Sequence, residues 1–442
     1  MQAFEYSLAH YRPSLRSSVM KTRAWRWWHW LTAGIVVLLL VFMTVLVGLR
    51  SWSIARLEAV EAGLRTAHRP TRYVEHFAMA PTRDPIQFQA WLALETRWQA
   101  TAASSMPVAL WLQKGALSPT PPDVGAWLTT HAFLIDETAT LLRHSGQLFG
   151  TWPDPSSFTA TDIYGSIAMN AAAPKIDALR PYAFALAATA SDLQDDRRLE
   201  DIDLLIARFA PNTQFDGMVL RMLVSIRDRT QLFRLLQRPP GSVTAAWTAS
   251  SPVMLTMGRQ ALLGERLLGS ATSAENALAA TAFGSDWYTW TIGAADAAVL
   301  VTTLADLETR VSGLAAPITP MPSWAIISRI SAPNLYETTH MYVEADAEER
   351  AARIAAELIQ SWRAGTPPAI DLAALPESCR TRLIASPGAA TLRYTRNSEG
   401  FVIDIDPAAV QPPGMCRVPK ILVPRGPLTV GAGVAVQGAP TP

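Results

Sequence analysis

Cysteine, lysine and charge are what this chain has least of. Two cysteines in 442 residues exclude a disulfide-stapled mini-protein. A hydrophobic share of 49% excludes an intrinsically disordered chain. Charged residues make up only 17%, with a formal net charge of +1, so there is no basic footprint for nucleic acid. Only four of the 38 basic residues are lysines, which makes arginine the default cation. The chain also lacks GxGxxG, a Walker A loop, HExxH and GxSxG, so no motif calls for a cofactor or sets up a nucleophile. Ser18 and Lys21 spell SxxK, but they precede the apolar run described next and are read as chance.

What the chain does have is one apolar stretch, residues 31–49, LTAGIVVLLLVFMTVLVGL, without a charge. At helical rise it spans roughly 28 Å, about one hydrocarbon core. Trp25, Trp27, Trp28 and Trp30 stand just before it, where an aromatic belt at the membrane interface belongs. The residues that follow, Leu49-Arg50-Ser51-Trp52, form a poor cleavage site, so the stretch reads as an uncleaved signal anchor. Arg12, Arg16, Lys21, Arg23 and Arg26 precede it; Arg50, Arg56 and Arg65 follow. That bias predicts a cytoplasmic N-terminus in a bacterial-type inner membrane and a periplasmic bulk. Residues 287–304 are apolar too, but Asp296 in their middle makes them a buried soluble helix rather than a second span.

Beyond the span, apolar residues recur at helical spacing between proline-marked breaks. Ile54, Leu57, Val60 and Leu64 continue the first helix. Asp84-Pro85 opens another, with Gln87 completing a capping-box pattern and Trp91, Leu94 and Trp98 as its buried face. Asp123 is read as the cap of the next helix, and Pro174 and Pro181 as interruptions after it. Leu199, Ile202, Leu205, Ile206 and Phe209 form a further stripe. Residues 324–330 read as a short strand and 334–363 as a helix. Leu392-Arg393-Tyr394 and residues 401–405, FVIDI, alternate in period two across Asn397–Gly400, a hairpin signal.

The predicted fold is therefore mainly α: a single N-terminal transmembrane helix, an irregular α-helical array, and a small α+β C-terminal unit with a β-hairpin. The boundaries are a cytoplasmic segment 1–30, the span 31–49, an extracytoplasmic helical domain 50–315, the C-terminal unit 324–411 and a Pro/Gly-rich tail 412–442. This order resembles pseudopilins at its two ends. The chain departs from them in its long aromatic, basic leader and the missing acid at the start of the span, and it is not assigned to them.

Few residues offer chemistry. Glu337, His340 and Glu344 form E-x-x-H-x-x-x-E, half of a di-iron ligand set on one helix face, but the preferred reading is a solvated face. Glu75-His76 is the only other such candidate. His131, among Trp127, Leu128, Leu134 and Ile135, reads as a core histidine donating to a carbonyl. Asp195, Asp196, Glu200 and Asp203 read as acids favoured at a helix start. Arg227, Arg234 and Arg238, with Arg221 and Arg229 nearby, read as a solvated face, with an anion or partner patch as the functional alternative. Cys379 and Cys416 are expected to pair in an oxidising compartment.

Together these features predict a membrane-anchored extracytoplasmic scaffold, assembly or accessory subunit of an envelope protein complex. Its partners would be the lipid bilayer and another membrane or envelope protein, with no metal or catalytic residue assigned. The alternative is an envelope enzyme, a hydrolase or metal-dependent oxidoreductase, whose site is not recognisable from sequence.

Overall fold

A computed structural model describes residues 15–71, 84–113, 119–149, 175–193, 195–209, 214–237, 254–282, 284–311, 321–363, 373–383, 392–397, 400–405, 420–424 and 436–437. The chain is mainly helical, with one long apolar N-terminal helix and an antiparallel hairpin near the C-terminus. Between residues 50 and 315 every described element is a helix, apart from one isolated bridge between Phe149 and Phe209.

Helix α1 (Leu15–Thr66) is 52 residues long. It is the one described helix long and apolar enough to cross a membrane, and no residue of its most apolar window is buried in the protein. Trp27, Trp28 and Trp30 project outward at its start. Past Arg50 the same helix changes character: Leu57 and Leu64 are buried against the rest of the chain.

The first lobe contains α2 (Pro85–Thr101), α3 (Met106–Gln113), α4 (Pro122–His144), α5 (Ile176–Leu193) and α6 (Asp196–Ala207). Asp84 caps α2 as its sequence predicts, accepting from the backbone N–H of Ile86 at 2.8 Å and Gln87 at 3.3 Å. Gln87 does not close a capping box. Its amide donates to the His144 carbonyl and accepts from the Gly146 N–H, which ties α2 to the end of α4. Asp123 lies inside the first turn of α4 rather than capping it, because the helix already starts at Pro122. Pro181 lies within α5 and does not break it. It sits in the second turn, and α5 is the centre of the lobe. Ala183, Ala185, Leu186, Ala187, Ala188 and Ala190 are buried on all its sides, against α2, α3, α4 and α6. Trp91 and Trp98 are fully buried, and the Trp98 indole donates to Thr138 Oγ1.

Two long helices form the spine, α7 (Gln214–Gln237) and α12 (Ile326–Arg363). Between them in sequence come α8 (Met254–Gly264), a π-helical turn (Glu265–Ser270), α9 (Ala271–Ala279), α10 (Trp287–Thr291) and α11 (Gly293–Val311). The Tyr342 ring of α12 occupies the space that two glycines leave: a Cβ on Gly258 would lie 2.6 Å from its Cγ, and one on Gly217 2.8 Å from its Cε2. In place of the strand expected at residues 324–330, α12 begins at Ile326, and the backbone N–H groups of its first turn meet a carboxylate from α11.

The distal half of α12 packs on α7, on α13 (Glu377–Leu383) and on the sheet. The hairpin matches its sequence signal. β1 (Leu392–Asn397) pairs antiparallel with β2 (Gly400–Ile405), Asn397 facing Gly400. Leu392, Tyr394, Phe401 and Ile403 point into the core, while Arg393 and Asp404 pair on the outer face. Two further strands, β3 (Lys420–Pro424) and β4 (Val436–Gln437), extend the sheet in the order β1-β2-β3-β4.

Candidate functional site

The largest concentration of buried charge lies between α7 and α12. Arg227 is 3% exposed and Asp228 is fully buried. Arg227 reaches Asp228 at 2.9 Å, Asp203 of α6 at 3.0 Å and Glu349 of α12 at 3.5 Å. Arg221 pairs with Glu344 at 2.5 Å, and Ser225 and Arg229 both face Glu348. Arg234, 1% exposed, meets Asp196 at 2.5 Å. Partner numbers rise together along the two helices, so α7 and α12 run parallel with their charges in register.

The solvated-face readings are thereby corrected. Arg227 and Arg234 are buried and Arg221 and Arg229 half-buried, because α12 presents Glu344, Glu348 and Glu349 at matching helical spacing and α6 presents Asp196 and Asp203; Glu344 is buried rather than solvated. Of the acids near the start of α6, Asp195 does cap the helix, accepting from the Arg197 N–H. Asp196 and Asp203 instead serve as counter-ions to α7.

Burial pushes Asp228 up to about 7 even with Arg227 beside it, and Glu349 and Glu348 add to the rise. Glu349 is raised by burial as well, with Arg227 and Arg353 opposing. Burial works against the Arg227 charge, but Asp228, Glu349 and Asp203 outweigh it and hold the guanidinium above its usual range. What this seam offers chemically is a buried carboxyl, Asp228, raised to about 7, and a fixed helix register.

The remaining sequence candidates do not converge. His131 stacks on Trp127, and its Nδ1 donates to the Trp127 carbonyl at 2.8 Å. Asp136 and Glu137 turn away from it to Arg198 and Arg97. The side chains of Glu337 and His340 lie outside the described residues, as do Glu75, His76, Arg238 and Cys416. Among the described residues, no group of three or more His, Cys, Asp or Glu is placed to hold a metal ion. Cys379 is buried in the core under the hairpin, with Leu383, Leu392, Tyr394 and Phe401.

A second constructed feature lies where α1 leaves its apolar stretch. The Arg50 guanidinium donates to the carbonyls of Trp290 at 2.8 Å, Leu278 at 3.1 Å and Ala277 at 3.3 Å, so one cation caps the C-terminal ends of α9 and α10. It also lies 5.6 Å from the Trp290 ring. Ser53 Oγ accepts from the Ala295 N–H at 2.7 Å. Trp52 meets Trp324 edge to face, and Arg56 lies 5.9 Å from both rings. Beyond this collar Ile54, Leu57 and Val60 pack on Ala274, Ala277, Ala294, Ala297 and Ala298, small residues that let the helices approach closely. At the far end Glu308 of α11 clamps both Arg69, at 2.6 Å, and Arg266, at 2.5 Å. Residues 50–69 are thus fastened to the domain at both ends and along their length.

Asp296 belongs to this junction and is 1% exposed, buried as expected. It caps the neighbouring helix α12, accepting from the N–H of Ile327 at 2.8 Å and Ser328 at 3.0 Å, and from Ser328 Oγ and Tyr288 Oη. Burial, and then the bond to Asp296, raise the Tyr288 phenol above its usual range. Sequence reasoning identified the burial of Asp296 but not its role, because the amides it serves lie more than 30 residues away. The opposed charge stripes of α7 and α12 were visible at helical spacing, and that match of sign and period was the signal for the seam. Comparison with known protein families, with curated proteins and with solved structures found no match to this chain.

Proposed function

We propose that this protein is a membrane-anchored scaffold, assembly or accessory subunit of an envelope protein complex. On this reading α1 crosses the inner membrane with its N-terminus in the cytoplasm, and the helical domain and hairpin lie in the periplasm. The observation that carries it is the fastening of residues 50–69 along α11. An enzyme that needs only to be kept near a membrane is served by a loose linker. Here the anchor and the domain are one rigid piece, which suits a part that must hold a partner at a fixed height and orientation. Met106 and Leu110, one turn apart on α3, and Phe133 on α4 add exposed apolar surface for such a partner.

In the oxidising compartment this topology implies, Cys379 pairs with Cys416. The bridge would close a loop of about 37 residues around the hairpin, worth roughly 4 kcal/mol on a chain-entropy basis. Extraction of the full chain in mild detergent after brief crosslinking tests the reading. The expected result is a stoichiometric envelope-protein partner, with a reporter active only outside the cytoplasm working when fused after Pro442. A chain that purifies alone and turns over a substrate would overturn the scaffold reading, and a silent reporter would overturn the topology.

A further inference from the structure

The underside of the domain, beside the point where α1 emerges, is apolar where it ought to be polar. Trp287 at the start of α10 is 68% exposed, and Ile326 and Ile330, one turn apart at the start of α12, are 51% and 72% exposed. Leu278, at the end of α9, is exposed as well. These residues come from three elements, and each is fixed to the first turns of α1 after the apolar run. The Leu278 carbonyl accepts from Arg50. The carbonyl of Trp290, three residues after Trp287, accepts from the same guanidinium. Trp324, two residues before Ile326, packs on Trp52 and Arg56, and the Ile326 N–H donates to the Tyr288 hydroxyl.

Height follows from helix geometry. Arg50 to Arg56 lie one to seven residues past Leu49, roughly 1.5–10 Å along the axis. The headgroup region extends about 5–7 Å beyond each face of the hydrocarbon core. Side chains tied to Arg50, Trp52 and Ser53 are therefore held at the depth of the headgroups, where tryptophan and isoleucine side chains on a helix end partition favourably.

We propose that Trp287, Ile326, Ile330 and Leu278 form a lipid-contacting collar that seats the domain on the same bilayer that α1 crosses. The inference rests on the membrane reading of α1 and deepens it: the protein meets lipid at a second, peripheral surface. The clamps on residues 50–69 prevent the domain from lifting off independently of the helix. The collar thereby fixes tilt as well as height.

The test uses the full chain reconstituted in phosphatidylcholine vesicles, with a photo-crosslinking amino acid placed singly at Trp287, Ile326 or Ile330. Leu38 in the apolar run and Phe133 on the first lobe serve as controls. Phospholipid adducts are expected at Leu38 and at all three labelled collar positions, with yields well above Phe133, since side chains resident in the interface lie against lipid. Adducts at Leu38 without adducts at the collar would overturn the collar and leave the span intact. A collar that crosslinks to protein instead of lipid would overturn it equally, and no adduct at Leu38 would overturn both readings. Circular dichroism of each labelled chain confirms that it is folded before its adducts are counted.

Discussion

Along α1 and α11 the contact is made of alanines and aliphatic side chains, with ions only at its two ends. Along α7 and α12 it is made of arginines and carboxylates in register. The two seams answer different problems. The first must hold a helix that continues into an apolar stretch, so close approach through small residues serves it along its length, with buried charge confined to its ends. The second joins the first lobe to the C-terminal sheet, and charges at fixed spacing penalise any slip of α12 along α7. An apolar contact tolerates sliding by a turn; a charge ladder leaves desolvated ions without partners when it slides.

That difference is sharpest under truncation. Arg227→Ala leaves Asp228 and Glu349 buried without their shared cation and is expected to destabilise the fold by about 3–5 kcal/mol. Thermal unfolding of the detergent-solubilised chain measures it. Replacing the pair together, Arg227→Met with Asp228→Leu, is expected to recover much of the loss, since Glu349 keeps Arg353 at 2.9 Å. If the double variant melts as low as the single one, the seam is not a matched charge pair.

The alanine seam responds to added volume rather than lost charge. Ala297 is 2% exposed against the Leu57 cluster. Ala297→Leu is expected to cost about 1–3 kcal/mol by forcing α1 and α11 apart. Amide hydrogen exchange across residues 54–64 should accelerate while residues 221–234 keep their protection. Equal loosening of both seams would show that they are not independent.

How far each seam was legible follows from the same chemistry. The stripe Ile54, Leu57, Val60 and Leu64 was readable because apolar periodicity is local to one helix. So were the α2 cap, the Trp91–Trp98 face and the hairpin register, each set by residues a few positions apart. The burial of Arg227 and Arg234 was not readable from α7 alone. An arginine stripe looks the same whether water or a partner helix faces it; the partners here come from other helices, Asp196 and Asp203 of α6 and, more than 100 residues away, Glu349 of α12. The start of α12 was misjudged for a related reason. Ile326, Ile327 and Ile330 are β-branched and precede Pro333, but Asp296 supplies from another helix the acceptor that a local cap would have provided.

The smallest effect concerns protons, and it too separates the seams. Asp228 has a pKa near 7 in the folded chain, against 3.8 when unfolded. Between about pH 4 and pH 7 the folded state therefore holds a proton that the unfolded state has released. Stability from this group is greatest at the acid end and declines as pH rises through 7, by at most about 1.4 kcal/mol per pH unit. Glu349, raised for the same reason, acts in the same direction. The Leu57 cluster contains no titratable side chain, so its own contacts carry no such slope. Hydrogen exchange of residues 221–234 is expected to be slower at pH 5.5 than at pH 8 once corrected for intrinsic rates, and Asp228→Asn should flatten that difference. Residues 54–64 should show little change with pH in either protein. Protection of α7 that instead weakens at acid pH would mean Arg227 keeps Asp228 ionised throughout, and the seam would then be a permanent ion pair rather than one that takes up a proton.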